Sequence, residues 1–264
     1  MPRSGKICIQ MTWLVSILVL TAVAVAEETS MSERSLAADT IIKDSFQAGT
    51  GLPVGKIHSV RGEAYIFHRD LSTGYRAKTG LPLYQGDILR TRKNARMFSR
   101  LVDGSSLAMA PQTVITLLLS NFNSARKSSA SFLALKQGSV RFTVNPAPEL
   151  STSEFKVETD SAFVQARKSD FIVKADPGRT EIINLENSRL EMTNLTDPEE
   201  IYFLSDYQRA VVRRESVFPL IETVAPADTE ALVSSFHLAP DNKLFTFGAF
   251  NYRTQDTISV IPDE

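Results

Sequence analysis

Residues 86–117 decide the fold. They read Gly86-Asp87-Ile88-Leu89-Arg90-Thr91, then Ala95-Arg96-Met97-Phe98-Ser99-Arg100-Leu101-Val102-Asp103-Gly104-Ser105-Ser106-Leu107-Ala108-Met109-Ala110-Pro111-Gln112-Thr113, then Ile115 and Leu117. Apolar side chains recur at 95, 97, 101, 107, 109, 115 and 117, all odd positions. Successive side chains of a strand point to opposite sides, so this period of two marks a strand with one buried face. Asp103-Gly104 between the two runs is turn chemistry. A two-residue loop pairs positions summing to 207 and sets Leu101 opposite Ser106 and Leu107 opposite Arg100, which mixes the faces. A sum of 208 pairs Leu101 with Leu107 and Met97 with Pro111. The expectation is a three-residue loop with a glycine bulge, or an odd-length corner.

From Val54 to about Val212 the chain continues as short alternating segments punctuated by glycine and proline, with no helical stripe of ten or more residues. Short strands at regular spacing predict an all-β body. A weak repeat runs through it. Leu135-Lys136-Gln137-Gly138-Ser139-Val140-Arg141-Phe142 aligns with Leu185-Glu186-Asn187-Ser188-Arg189-Leu190-Glu191-Met192, and Val60-Arg61-Gly62-Glu63-Ala64-Tyr65-Ile66 is a looser copy. Each places a small residue two positions before an apolar pair, as a corner leading into a strand requires. Repeated corners suggest short strands stacked in a solenoid or roll; a β-sandwich is the alternative.

The flanks differ from the body. Arg3 and Lys6 precede an unbroken apolar run from Trp13 to Ala26 that ends in Ala24-Val25-Ala26 before Glu27-Glu28. That is the layout of a Sec-type signal peptide cleaved after Ala26, and the run is shorter than the roughly 20 residues of a comfortable membrane span. Only Cys8 is a cysteine, and it precedes the run, so a lipid anchor is not supported. Residues 1–26 are read as signal peptide, 27–52 as tether, 53–214 as the β domain and 215–264 as a C-terminal extension. In the extension, Asp228–His237 suggests a short capped helix. Leu244–Arg253, with Phe245, Phe247, Phe250 and Tyr252, suggests a last strand packed on the body or an edge strand kept for a partner.

The 264 residues are 43% hydrophobic and 22% charged, as in an ordinary globular protein. Cleavage after Ala26 removes Arg3 and Lys6, leaving 27 basic against 30 acidic residues, a net charge of −3. Such a balance gives no electrostatic signal for nucleic acid or an anionic membrane surface. A mature chain without cysteine relies on its core, not on disulfides.

Several pieces together resemble FecR-type domains, modules of the bacterial cell envelope. Val54-Gly55-Lys56-Ile57 with Val60-Arg61-Gly62 resembles their opening strand. Leu83–Thr91 resembles the element L-x-x-G-D-x-[VL]-x-T, and Ala95–Thr113 resembles A-x-x-x-x-x-L-x-D-G-S-x-L-x-[LM]-x-P-x-T. Leu135–Phe142 resembles L-x-x-G-x-V-x-F, and Phe155–Ala162 resembles F-x-V-x-T-P-x-A. Lys168, Ser188 and Tyr207 stand where the family pattern has glycine. In the best-known members a cytoplasmic anti-sigma domain precedes a membrane span, and the periplasmic domain reads an outer-membrane transporter. Here 12 residues precede the apolar run, so the resemblance implies the exported half of such a protein. The expected function is that of a periplasmic or secreted, non-enzymatic binding module for an envelope protein or glycan. The alternative is the periplasmic component of a sigma/anti-sigma type of signal transduction, and an enzyme acting on envelope polysaccharide is a distant third.

Candidate chemistry is sparse. His58, His68 and His237 have no metal-site spacing, so no metal or cofactor is expected. No nucleophile elbow, phosphate loop or dinucleotide fingerprint occurs. Asp103 and Asp170 form a glycosidase pair only if a cleft brings them within roughly 5 to 10 Å. Arg90, Arg92, Lys93, Arg96 and Arg100 make a basic stretch. Arg92, Arg96 and Arg100 have even parity, opposite the apolar face. They are the candidate partner-binding residues for an anionic envelope polymer or acidic partner; a solvated strand face is the plainer reading.

Overall fold

The computed structural model describes residues 40–69, 71–123, 125–144, 152–185 and 189–237. The expected signal peptide and the aromatic stretch 244–253 lie outside the described residues. Within them the body is all-β, and the chain alternates between two facing open sheets. The first sheet runs, in spatial order, through β1 (Ile41–Lys43), β4 (Thr73–Arg76), β3 (Ala64–His68), β6 (Asp87–Thr91), β9 (Val114–Asn123), the first half of β10 (Ser128–Val144), β11 (Thr152–Glu158), β12 (Ala162–Ala166), β15 (Leu190–Asn194) and β16 (Asp197–Leu204). The second runs through β5 (Pro82–Leu83), β2 (Gly55–Arg61), β7 (Arg96–Leu101), β8 (Ser106–Met109), the second half of β10, β13 (Ser169–Asp176), β14 (Arg179–Asn184), β17 (Gln208–Arg213) and β18 (Leu220–Thr223). Hairpins are laid alternately in the two sheets, which makes a roll. The pairings are antiparallel except β1–β4 and β10–β11.

One continuous core fills the space between the sheets. At its centre Phe142 of the second sheet meets Phe155 of the first at 5.6 Å between ring centroids and stacks on Phe171 at 5.2 Å. All seven odd-numbered apolar residues of the 95–117 run are buried, and all but Ala95 belong to this core. They line one face because the alternation matches the pleat.

β10 serves both sheets. Ser129, Ser131, Leu133 and Leu135 are buried, then Val140, Phe142 and Val144. Parity therefore switches from odd to even within one strand. The switch falls at Gly138, whose φ is +92°, after a register shift between Leu135 and Gln137. An extra residue in one strand turns its inward face, so the strand leaves one sheet and enters the other without losing its apolar side. Gly62, with φ +75°, makes the equivalent crossing from β2 to β3. These are two of the three corners of the sequence repeat; the third, at Ser188, lies outside the described residues.

The β7–β8 hairpin has a three-residue loop, Val102-Asp103-Gly104, closed by the Leu101 N–H donating to the Ser105 carbonyl at 2.8 Å. Its register is displaced by one residue toward the N-terminus from the sequence expectation. Met97 lies opposite Met109 and Ser99 opposite Leu107, so paired numbers sum to 206, not 208. Leu101 and Leu107 still share the buried face, because both sums are even. The loop closes earlier because Asp103 turns inward and accepts from the Ser105 N–H at 2.8 Å.

Helix α1 (Pro226–Ser234) begins two residues before the sequence signal. Pro226 starts it, and no side chain caps its N-terminus. A proline is suited to that position because it lacks an N–H to satisfy. The helix and Phe236 cover Ile172, Ile183 and Leu185 on the outer face of the second sheet. At the β4 edge of the first sheet, residues 40–49 of the expected tether lie against the body as β1 and the turn after it.

Candidate functional site

The residues shared with the FecR pattern converge on the corners. Thr91 Oγ1 donates to the Ala110 carbonyl at 2.6 Å and accepts from the Thr113 N–H at 3.0 Å. Thr113 Oγ1 donates to the Ser139 carbonyl and accepts from the Ser139 N–H, both at 3.1 Å. This clamp ties β6, β9 and the bend of β10, so backbone groups freed at the bend are satisfied. A second threonine corner repeats the device. Thr159 Oγ1 bonds to the Ala162 backbone and shares a hydrogen with Thr180 Oγ1 at 2.6 Å. The motif threonines and Gly138 therefore hold the crossings between sheets.

The candidate carboxylates serve separate contacts. Asp103 is buried at the hairpin end, where Oδ2 accepts from Ser131 Oγ at 2.6 Å and Ser131 contacts Ser120 Oγ at 3.0 Å. It thus fastens the second-sheet hairpin to β9 and β10 of the first. Asp170 lies on the outer face of the second sheet and takes a two-pronged bond from Arg141, at 2.9 and 2.6 Å. Asp103 binds inside the core and Asp170 outside it.

The basic stretch divides between the sheets. Arg90 sits on β6 in the first sheet, where burial, and then Arg92, lowers its pKa. Arg96 and Arg100 are half-buried on the outer face of β7 in the second. Arg96 Nε donates to the Ser235 carbonyl at 2.7 Å, at the C-terminal end of α1. A cation there also meets the negative end of the helix dipole. Arg100 Nε reaches the Gly104 carbonyl at 3.4 Å. Arg92 and Lys93, in the turn between β6 and β7, are exposed.

The histidines differ in kind. His237 is exposed after α1, and His58 packs its ring edge on Phe98 at 6.0 Å. His68 is the one the sequence undervalues. Its Nδ1 lies 2.7 Å from Oδ1 of Asp87, its cross-strand partner, and its Nε2 lies 2.8 Å from the Gln47 carbonyl. Asp87 is buried, and its Oδ2 accepts from the Tyr84 N–H at 2.8 Å. Burial raises the Asp87 pKa against the lowering pull of His68 and Tyr84. The Gly86-Asp87 dipeptide is visible in sequence, but its pairing with His68 follows from the β3–β6 register. Among the described residues, no group of three or more His, Cys, Asp or Glu side chains is placed to hold a metal ion.

Residues 87–188, the span that holds these corners, match the family model described as FecR protein. Residues 87–188 form a FecR-type domain. Two crystal structures of a candidate anti-sigma factor from Parabacteroides distasonis ATCC 8503, at 1.65 and 2.50 Å resolution, are similar to it at 16% identity and a TM-score of 0.44. Each similarity covers 55% of this chain and 64% or 63% of the other, so this chain spans just under two thirds of their length. A search of curated proteins finds no match.

The chain meets the glycine positions of the FecR pattern in different ways. Tyr207 adopts φ +58°, the left-handed conformation that glycine enters without strain. Lys168, in the bend between β12 and β13, has no positive φ. Ser188 lies outside the described residues.

Proposed function

We propose that this chain is the exported, non-enzymatic component of a signal-transduction system at the cell envelope, working with a separate membrane or sigma-control protein. The observation that carries the reading is the FecR-type domain at 87–188. Its motif residues build corners, and its buried carboxylates, Asp87 and Asp103, are bound to neighbouring groups of the fold. What is left for function is surface, which suits recognition better than catalysis. Export rests on the N-terminal sequence pattern, with cleavage after Ala26 and a periplasmic or secreted product. Partner contact, with an envelope protein or glycan, is assigned to the face carrying Arg92, Arg96 and Arg100. Exposed Arg92 and Lys93 are the side chains there best placed to reach outward.

The test is genetic. Deleting the gene should change transcription of a limited gene set. Expression of the intact chain should restore the pattern, and a chain lacking residues 1–26 should not. Unchanged transcription, or rescue by the chain retained in the cytoplasm, would overturn the reading. N-terminal sequencing of the exported protein should begin at Glu27.

A further inference from the structure

Residues 40–49 strap one end of the roll. Strand β1 runs parallel to the edge of β4, with Ile42 opposite Gly74. A Cβ at Gly74 would stand 2.5 Å from the Phe67 ring and 2.8 Å from Ile42 Cδ1. The missing side chain therefore lets Phe67 lie across β4 and meet the strap, an arrangement that supports glycine at sheet edges. Beyond β1 the chain turns, and Phe46 packs on the core end. Phe46, Tyr75 and Tyr84 surround the His68 ring at centroid distances of 5.6, 5.1 and 5.8 Å. The Tyr75 hydroxyl donates to Gln47 Oε1 at 2.9 Å.

The hydrogen bonds count protons. A carbonyl only accepts, so the contact from Nε2 to the Gln47 oxygen places a proton on Nε2. The 2.7 Å contact between Nδ1 and Asp87 Oδ1 holds a second proton, whichever atom carries it. The pair is satisfied and net neutral only with both. Remove one, and either a bare Nε2 faces the Gln47 carbonyl or a bare Nδ1 faces a buried carboxylate. A buried polar group left without its partner is costly. The other ionisable groups on these elements are already placed. Asp44 of the strap accepts from Arg76 Nε at 3.3 Å, its carbonyl takes Lys78 Nζ at 3.5 Å, Lys43 is exposed, and the Arg69 stem lies beside Gly86. Tyr75 and Tyr84 supply only rings and a phenol.

We propose that His68 and Asp87 form a proton-dependent latch that holds residues 40–49 on the end of the roll. With both protons present the strap is docked. Loss of one releases Phe46 and Gln47, frees the edge of β4 and uncovers Phe67. Elsewhere the strap is held by a three-residue edge ladder, with Ile41 60% exposed, and by part-exposed or exposed bonds of Thr40, Asp44 and Gln47.

Hydrogen exchange of peptides covering 40–49 reads the latch, with β9 and β10 peptides as internal reference. The protein is followed from about pH 5 to about pH 8, the range in which histidine titrates, with correction for intrinsic amide chemistry. Strap protection should fall with rising pH by up to about tenfold per unit, the slope of a one-proton linkage, while the reference peptides hold. The double variant His68→Gln with Asp87→Asn keeps a donor for the Gln47 carbonyl and leaves the pair no proton to lose, so its profile should be flat. Phe46→Ala should release the strap at every pH with the reference intact. A flat corrected profile in the native protein, a native slope in the double variant, or a strap still protected in Phe46→Ala overturns the proposal.

Discussion

Thr113 fills the space in which a side chain at position 138 would begin. A Cβ on Gly138 would stand 2.4 Å from Thr113 Oγ1 and 2.5 Å from its Cα. Backbone cannot yield as a flexible side-chain end can, and φ at 138 is +92° besides. Gly138→Ala should therefore destabilise by at least about 2 kcal/mol, from left-handed strain of roughly 1–2 kcal/mol plus the collision. Urea unfolding checks it. A loss under about 0.5 kcal/mol, the scale of a neutral surface change, would mean that β10 does not need this glycine to cross between sheets.

Leu101 tests the buried face. It packs in the core close to the end of the β7–β8 hairpin. Leu101→Ala should cost about 2–5 kcal/mol through lost burial and the cavity left behind. A near-neutral result in chemical denaturation would contradict the face assignment.

That face was legible in sequence because alternation survives every register of even sum. The register itself was not, since 206 and 208 bury the same residues. What separates them is Asp103, whose inward bonds to Ser105 and Ser131 set where the loop closes. The bond to Ser131 reaches 28 residues along the chain, and a polar residue beside glycine looks like ordinary turn chemistry. The His68–Asp87 pair was hidden for the same reason: 19 residues separate its members, and only the β3–β6 pairing makes them opposite. The corner glycines and threonines were legible through the family pattern, though not their role as a clamp.

Tyr207 offers a strain measurement. Replacing it by alanine or by glycine removes the same ring, but only glycine relaxes the φ of +58°. Tyr207→Gly should be more stable than Tyr207→Ala by about 1 kcal/mol. Equal stabilities of the two variants in parallel urea titrations would show that this corner stores no backbone strain.

The raised Asp87 pKa gives a pH dependence. A group whose folded pKa lies above its unfolded value holds its proton more tightly when folded. Its contribution to stability is full below the unfolded value and is lost as pH rises through the folded one. The stability advantage of the native protein over Asp87→Asn should therefore shrink as pH rises from about 4, near the ordinary aspartate value. Denaturation midpoints of both proteins across acid to neutral pH read this directly. An advantage that grows with pH would place the buried carboxylate in the opposite regime.

Arg96 and Arg92 separate folding from recognition on the basic face. Arg96 donates to the Ser235 carbonyl, so Arg96→Glu sets a carboxylate against the negative end of α1. Hydrogen exchange over 226–236 should rise in that variant even without any partner. Arg92 is exposed and lies outside the strand ladder, so Arg92→Glu should leave both stability and the helix unchanged. If the face docks an anionic envelope component, Arg92→Glu should weaken that binding at low salt. The native affinity should fade with added salt, since exposed charges are screened within about 8 Å at physiological ionic strength. Binding to anionic envelope polysaccharide, measured by titration for native protein and both variants, distinguishes the cases. Equal affinity in Arg92→Glu returns this arginine to a solvated turn, and loss confined to Arg96→Glu traces the effect to the undocked helix.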